Sequence, residues 1–291
     1  MRNLNERNIT DAVVAAADGC ADARLKQVLA SLVRHLHAFV RDIEPSEEEW
    51  HRAIEFLTRT GQRCDGERQE FILLSDLLGV TMLVDVINHR TDGKATESTV
   101  LGPFYVEDPP EAAVGDAIDR GVGGEPLFVE GRVVSEGGTP IEGATVDVWQ
   151  SDGEGFYDVQ KPDAGSASLR ARFRTGPDGR YAFWTVTPAS YPVPTDGPAG
   201  ALLKAAGRHA WRPAHVHFML TAEGCERLVT QVFAEGDRHL ESDAVFGVKD
   251  SLVRRYEPRE PGTAPDGSAL DRPWRYLHYD FRLRAAAGQQ A

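Results

Sequence analysis

Trp211-Arg212-Pro213-Ala214-His215-Val216-His217-Phe218 is the stretch whose reading decides the fold. Pro213 lacks a backbone donor and biases the residue before it away from helix. Past it the pattern alternates, with His215 and His217 on one side and Val216 and Phe218 on the other. In a strand, residues i and i+2 share a face, so both imidazoles reach one point. A metal ion is the usual reason for two neutral imidazoles to converge; two histidines on a solvated strand face fit the same pattern. A second His-x-His, His35 and His37, serves as a control. Its surroundings read as helix, where i and i+2 lie about 200° apart around the axis and cannot share one ion.

Working outward, strand signals dominate from Pro126 onward. The segments are Leu127 to Val134, Ala144 to Trp149, Arg172 to Thr175, Arg180 to Thr187, Ala214 to Leu220, Leu228 to Phe233 and Trp274 to Leu283. Turn residues separate them, among them Gly137-Gly138-Thr139-Pro140, Gly176-Pro177-Asp178-Gly179 and Ala222-Glu223-Gly224. Short strands with long loops and almost no helical pattern predict an antiparallel β-sandwich over residues 126–291. Pro258 to Pro273 reads as a surface loop and the tail from Ala285 as frayed.

The N-terminal part, residues 1–98, reads as helical. Leu25, Val28, Leu29, Leu32, Val33, Leu36, Phe39 and Val40 form an amphipathic stripe. Ser46 with Glu49 three residues on marks a capping box. A third helix is expected over Glu67 to Asn88. Its apolar run from Phe71 to Val84 needs cover on several sides, which a second subunit or the following domain supplies. Residues 99–125 have a linker composition, rich in Gly, Pro, Asp and Glu. Val100-Leu101-Gly102-Pro103-Phe104-Tyr105-Val106 is too apolar for an exposed tether and is expected to pack on the site. The whole is a mainly β chain with a helical N-terminal part.

Composition narrows the function. At 41% hydrophobic and 26% charged residues over 291 positions, this is an ordinary globular chain. The charge of 32 − 45 = −13 disfavours nucleic acid and anionic membranes and points to a small molecule or a protein. The short apolar run Ala12 to Ala17, broken by Asp18, is too weak for a signal peptide, and no later stretch approaches a membrane span. Cys20, Cys64 and Cys225 are few and far apart, which fits a reducing cytoplasm.

Two histidines leave a metal under-coordinated. Two of the seven tyrosines follow predicted strand ends, Tyr157 in Gly153-Glu154-Gly155-Phe156-Tyr157 and Tyr191 in Pro188-Ala189-Ser190-Tyr191-Pro192-Val193-Pro194. Each on its own also reads as a packed loop tyrosine. A zinc hydrolase using the two histidines, or a metal-free binding module, are the rivals from other classes; the first lacks a recognisable third carboxylate or histidine.

Gly155-Phe156-Tyr157, Tyr191-Pro192, Arg212-Pro213-Ala214-His215-Val216-His217 and Gln231 occur in the order and spacing of the intradiol ring-cleavage dioxygenases, which the chain resembles over nearly its whole length. Within that family it is similar to the hydroxyquinol 1,2-dioxygenases. The stretches that carry this are Phe56 to Gly61, Gln69 to Asp76, Gly207 to Arg212 and Phe246 to Leu252. The resemblance implies one ferric ion per subunit, held by Tyr157, Tyr191, His215 and His217. Phenolate donors independently favour Fe(III) over Fe(II). It implies that Tyr191 takes a substrate proton, that Arg212 stabilises developing negative charge, and that Gln231 orients Arg212 or an oxygen. Leu73, Asp76, Val100, Leu101, Gly102, Pro103, Phe104, Val193, Pro194 and Val245 would line the pocket. Asp76 stands out in an apolar helix and is suited to accept a hydrogen bond from a third ring hydroxyl. An aromatic diol or triol and O2 are the implied substrates, in a homodimer joined through its N-terminal helices with a phospholipid-like molecule at the interface.

Overall fold

The computed structural model describes residues 2–66, 68–161 and 167–286. The chain divides into two compact units, residues 1–59 and 60–291. In the first, helices α1 (Ile9–Ala16), α2 (Ala23–Ile43) and α3 (Glu47–Gln62, its end reaching past the division) follow one another. Asp22 starts α2 by accepting from the Arg24 and Leu25 amides. The capping box forms as expected: the Ser46 amide donates to Glu49 at 2.9 Å and the Glu49 amide to Ser46 at 3.2 Å. The apolar stripe of α2 is present but exposed, and no residue of α2 is buried. His35 and His37 lie in this helix, with His37 Nδ1 3.0 Å from the Thr10 hydroxyl.

In the second unit the single helix expected from Glu67 to Asn88 is two, α4 (Glu70–Leu77) and α5 (Val80–Asn88); Glu67 itself lies outside the described residues. Gly79, in the left-handed region at φ 71°, turns the chain between them. A third helix of this unit, α6 (Pro198–Ala205), falls where a loop is expected.

The strands are β1 (Pro126–Ser135), β2 (Thr145–Gln150), β3 (Arg170–Arg174), β4 (Arg180–Val186), β5 (Tyr191–Pro192), β6 (Trp211–Arg212), β7 (His215–Thr221), β8 (Leu228–Ala234), β9 (Val253–Arg254), β10 (Glu257–Arg259), β11 (Gly262–Thr263), β12 (Ala269–Leu270), β13 (Trp274–His278) and β14 (Phe281–Leu283). One sheet runs β3-β2-β7-β8-β9; the other runs β10-β13-β1-β14 with β4 also paired to β1. β5-β6 and β11-β12 are separate ribbons. The sheets are mixed rather than purely antiparallel: β1 runs parallel to β13 and β14, and β8 parallel to β9. The expected antiparallel arrangement fails here because side-chain alternation has the same period in both kinds of sheet and carries no strand direction. The run Trp274 to Leu283, expected as one strand, breaks at Tyr279-Asp280, where the Tyr279 amide donates to the Glu130 carbonyl. The 258–273 segment holds the β11-β12 hairpin. Ala285 is not frayed: it bridges Cys225, and the Ala286 amide donates to the Gly224 carbonyl; residues 287–291 lie outside the described residues.

One buried apolar cluster draws from both sheets, including Leu127 and Val129 of β1, Val146 and Val148 of β2, Phe183 of β4 and Val216, Phe218 and Leu220 of β7. β7 therefore spends Val216, Phe218 and Leu220 on the core, which turns His215 and His217 to the opposite face. That face is buried too, so both imidazoles are desolvated. Among the described residues no helix is long and apolar enough to cross a membrane, and the three cysteines are free.

Candidate active site

Register builds the site floor. His217 sits opposite Trp149 on β2 and Gln231 on β8, so these three side chains share one face in a row across the sheet. Trp149 stacks on the His217 ring, centroids 4.6 Å apart and planes 13° off parallel. The β5-β6 ribbon pairs Tyr191 with Arg212, placing a phenol beside a guanidinium. Tyr157 enters from the loop after β2, at the start of a short 3-10 turn, with its amide donating to the Gln160 side chain.

The side-chain tips converge. Tyr157 Oη and His215 Nε2 each lie 3.0 Å from His217 Nε2. The Tyr157 and Tyr191 rings meet edge to face at 5.2 Å. Arg212 Nη1 lies 3.4 Å from both Tyr191 Oη and His215 Nε2. Of the segment preceding β1, Phe104 stacks on Tyr157 at 4.3 Å and meets Tyr191 edge-on at 6.2 Å. The Val100 carbonyl accepts from Gln231 Nε2 at 2.7 Å. Gly102, at φ 77°, lies so close to the imidazole that a Cβ there would stand 3.1 Å from His217 Cε1.

Electrostatics make this a place for a cation. Burial and then Arg212 push His215 down to about 3. Burial and then His215 hold His217 well below the usual imidazole range. Burial, followed by Tyr191, raises the Tyr157 phenol well above its ordinary value. His215 Nδ1 is 2.7 Å from the Pro213 carbonyl, which only accepts, so that nitrogen carries the proton and Nε2 presents its lone pair. The His215 lone pair and the Tyr157 phenol oxygen, each 3.0 Å from His217 Nε2, leave too few protons to go round. His217 Nδ1 is moreover buried without a partner. A cation among the converging atoms resolves the first conflict by replacing protons, and the two-phenol, two-imidazole set fits a hard ferric ion.

The remaining sequence-expected residues are distributed around this centre. Asp76, near the end of α4, is buried, and its Oδ1 has no hydrogen-bond partner. Burial raises its pKa, opposed by Thr81 and by the charge of Arg212. Val100, Val193 and Val245 are buried; Leu73 and Pro194 are partly buried; Leu101 and Pro103 are exposed. Two carboxylates escaped the sequence reading. Asp243 accepts from Arg212 Nε at 3.0 Å and Nη2 at 3.2 Å. Asp237 accepts from the Ser190 hydroxyl at 2.5 Å and the Ala214 amide at 2.9 Å, tying the residue before Tyr191 to the residue before His215. Among 45 acidic residues neither stands out by pattern, since both lie in loops without periodicity.

Residues 100–285 match the family model described as Dioxygenase, and residues 22–96 the one described as Catechol dioxygenase N terminus. The chain is 48% identical to a hydroxyquinol 1,2-dioxygenase of Nocardioides simplex, over 98% of this chain and 97% of that protein. The chain belongs to the intradiol ring-cleavage dioxygenases. The solved hydroxyquinol 1,2-dioxygenase of Pseudomonas putida DLL-E4 superposes with a TM-score of 0.91 at 48% identity, covering 97% of this chain and 99% of that one. The catechol 1,2-dioxygenase of Pseudomonas arvilla C-1 gives 0.82 at 29% identity, covering 100% and 94%. This membership makes the protein an enzyme, of a family generally iron-dependent, and sets aside the binding-module and zinc-hydrolase readings.

Proposed function

We propose that this dioxygenase opens hydroxyquinol (benzene-1,2,4-triol) with O2 between the adjacent hydroxyl-bearing carbons, giving 3-hydroxy-cis,cis-muconate, the enol form of maleylacetate. The observation that carries the choice of ring is Asp76, a buried carboxylate with an unpartnered oxygen in the electrostatic reach of Arg212, in a chain so close over its length to hydroxyquinol dioxygenases. Left unpaired, such a group costs about 1–3 kcal/mol, which a third ring hydroxyl recovers and plain catechol does not.

Tyr157, Tyr191, His215 and His217 would hold one Fe(III) per subunit, and the ion would supply a Lewis-acid centre that favours the deprotonated diol and primes the ring for O2. Tyr191 Oη receives one of the two protons that the diol gives up. Arg212, its charge secured by burial-resistant pairing with Asp243, stabilises the negative charge that develops as the ring is attacked. Gln231 accepts from Arg212 Nη2 at 2.8 Å and so orients it. Leu73, Val100, Leu101, Gly102, Pro103, Phe104, Val193, Pro194 and Val245 form the walls, apolar as a flat ring requires. Residues 126–291 act as a β-sandwich catalytic domain, 99–125 as a linker packed on the active site, and 1–98 as the helical part through which a cytoplasmic homodimer forms, with a phospholipid at the interface as in the family.

The visible spectrum of iron-loaded protein tests the reading, before and after anaerobic addition of hydroxyquinol and, separately, catechol. A tyrosinate band that moves to longer wavelength, followed by oxygen uptake at least about tenfold faster with hydroxyquinol, is expected. A protein that stays colourless after iron reconstitution overturns it. Faster uptake with catechol or a chlorocatechol, giving a cis,cis-muconate, replaces the substrate and keeps the chemistry.

A further inference from the structure

Arg212 has few ways to aim at the reacting atoms, and its surroundings leave it one. Nε donates to Asp243 Oδ1, while Nη2 donates to Gln231 Oε1 and to Asp243 Oδ2. The Asp243 bonds occupy one edge of the guanidinium plane, Gln231 takes the remaining Nη2 hydrogen, and Nη1 is left facing Tyr191 Oη and His215 Nε2. Asp243 is as buried as its partner and takes two further donors, the amides of Val245 at 3.3 Å and Gly247 at 2.9 Å. Between them Phe246 is held at φ 60°, a left-handed conformation uncommon for a bulky side chain and maintained only where the surroundings over-determine it. The loop has closed around Arg212 so tightly that a Cβ on Gly247 would stand 2.9 Å from Arg212 Nη2.

We propose that Asp243 is a positioning residue for ring cleavage. Its carboxylate grips the guanidinium by the edge turned away from the site, and the two loop amides fix the carboxylate in turn. A planar fork held along one edge cannot rotate, so Nη1 stays where negative charge develops. The idea rests on the catalytic role given to Arg212 above. Charge alone does not account for the geometry, since a single contact would neutralise the pair, whereas Asp243 binds two nitrogens of one plane and is itself held by backbone.

The test is a double-mutant cycle on iron-loaded enzyme, using whichever of hydroxyquinol and catechol the wild type opens faster. Wild-type inactivity on both would reject the functional reading before the cycle begins. Asp243→Asn keeps the shape but cannot accept from both nitrogens with one edge; kcat is expected to fall about ten- to a hundredfold with KM moved little. Arg212→Lys keeps the charge without the fork and should lose about a hundredfold or more. The double variant should be no slower than Arg212→Lys alone, because Asp243 acts through Arg212. The resting tyrosinate band of Asp243→Asn should also move to longer wavelength, as the Tyr191 oxygen loses its N–H neighbour. Losses that multiply in the double variant, or a wild-type kcat and band in Asp243→Asn, overturn the proposal. Should Asp243→Asn not fold, Asp243→Glu keeps the charge and shifts it by one methylene, and a wild-type kcat there overturns the proposal equally.

Discussion

Strand β7 and helix α2 use their apolar residues in opposite ways. In β7 every residue from His215 to Phe218 is buried: the apolar ones enter the core and the histidines enter a second, polar interior. In α2, three times as long (21 residues against 7), nothing is buried, and Leu32, Leu36 and Phe39 stand 50%, 51% and 57% exposed. Being about half exposed, each such side chain forgoes roughly half of the ~1.5–3 kcal/mol that full burial returns. The contrast teaches that the donors of the proposed site meet within one chain while the apolar stripe of α2 stays exposed. Catalytic geometry and the proposed assembly should therefore be separable by mutation.

The largest effect belongs to the buried side of the comparison. Tyr157 is fully buried, its hydroxyl 3.0 Å from His217 Nε2 and its ring stacked on Phe104. Tyr157→Phe removes one oxygen and almost no packing. The fold should persist, with a far-ultraviolet spectrum like the wild type, while the visible band weakens and kcat drops at least about a hundredfold. Retention of both band and rate would take Tyr157 out of the donor set.

How far the site was legible in the sequence follows from the distance over which each constraint acts. His215 and His217 were readable because strand geometry alone places i and i+2 together, and the Ser46–Glu49 cap because it closes over three residues. Helix α6 was not, because its N-terminal amide at Ala199 is capped by the Glu70 carboxylate, 129 residues earlier. Asp243 and Asp237 were illegible for the same reason: each joins segments far apart in sequence, and its partners are mostly backbone amides and side chains that carry no pattern. Strand direction is a property of the chain's return path and left no mark on the alternation that revealed the strands. The tyrosines stood between these cases, conspicuous at strand ends but identified as donors only through the family resemblance.

The exposed side of the comparison predicts a change of size without a change of chemistry. Leu32→Glu with Leu36→Glu puts two charges on the α2 face that the proposed dimer covers. Burying them would cost several kcal/mol, so light scattering should show the dimer mass falling to that of one chain at micromolar protein. The visible band and kcat should stay as in the wild type. A dimer that persists would move the interface off this helix face, and a lost band would mean that site and assembly are not separable.

The smallest effect tests whether the site sacrifices stability for selectivity. Burial raises the Asp76 pKa, with Thr81 and Arg212 only partly opposing it. A carboxyl whose pKa is raised by folding contributes fully only below its unfolded pKa, and its contribution is lost as pH rises through the folded value. At neutral pH the wild type therefore carries a penalty that a neutral amide of the same shape avoids. Asp76→Asn should raise Tm by about 2–4 °C at pH 7, for a gain of about 1 kcal/mol, and the gain should vanish as the pH falls below the ordinary carboxylate range. The same variant should open hydroxyquinol with a smaller advantage over catechol, since the amide is a weaker acceptor than a carboxylate. A Tm that rises while the substrate ratio stays fixed would leave Asp76 a buried polar residue with no part in choosing the ring. A ratio that falls together with the rise in Tm would make the unpartnered oxygen the feature on which selectivity depends.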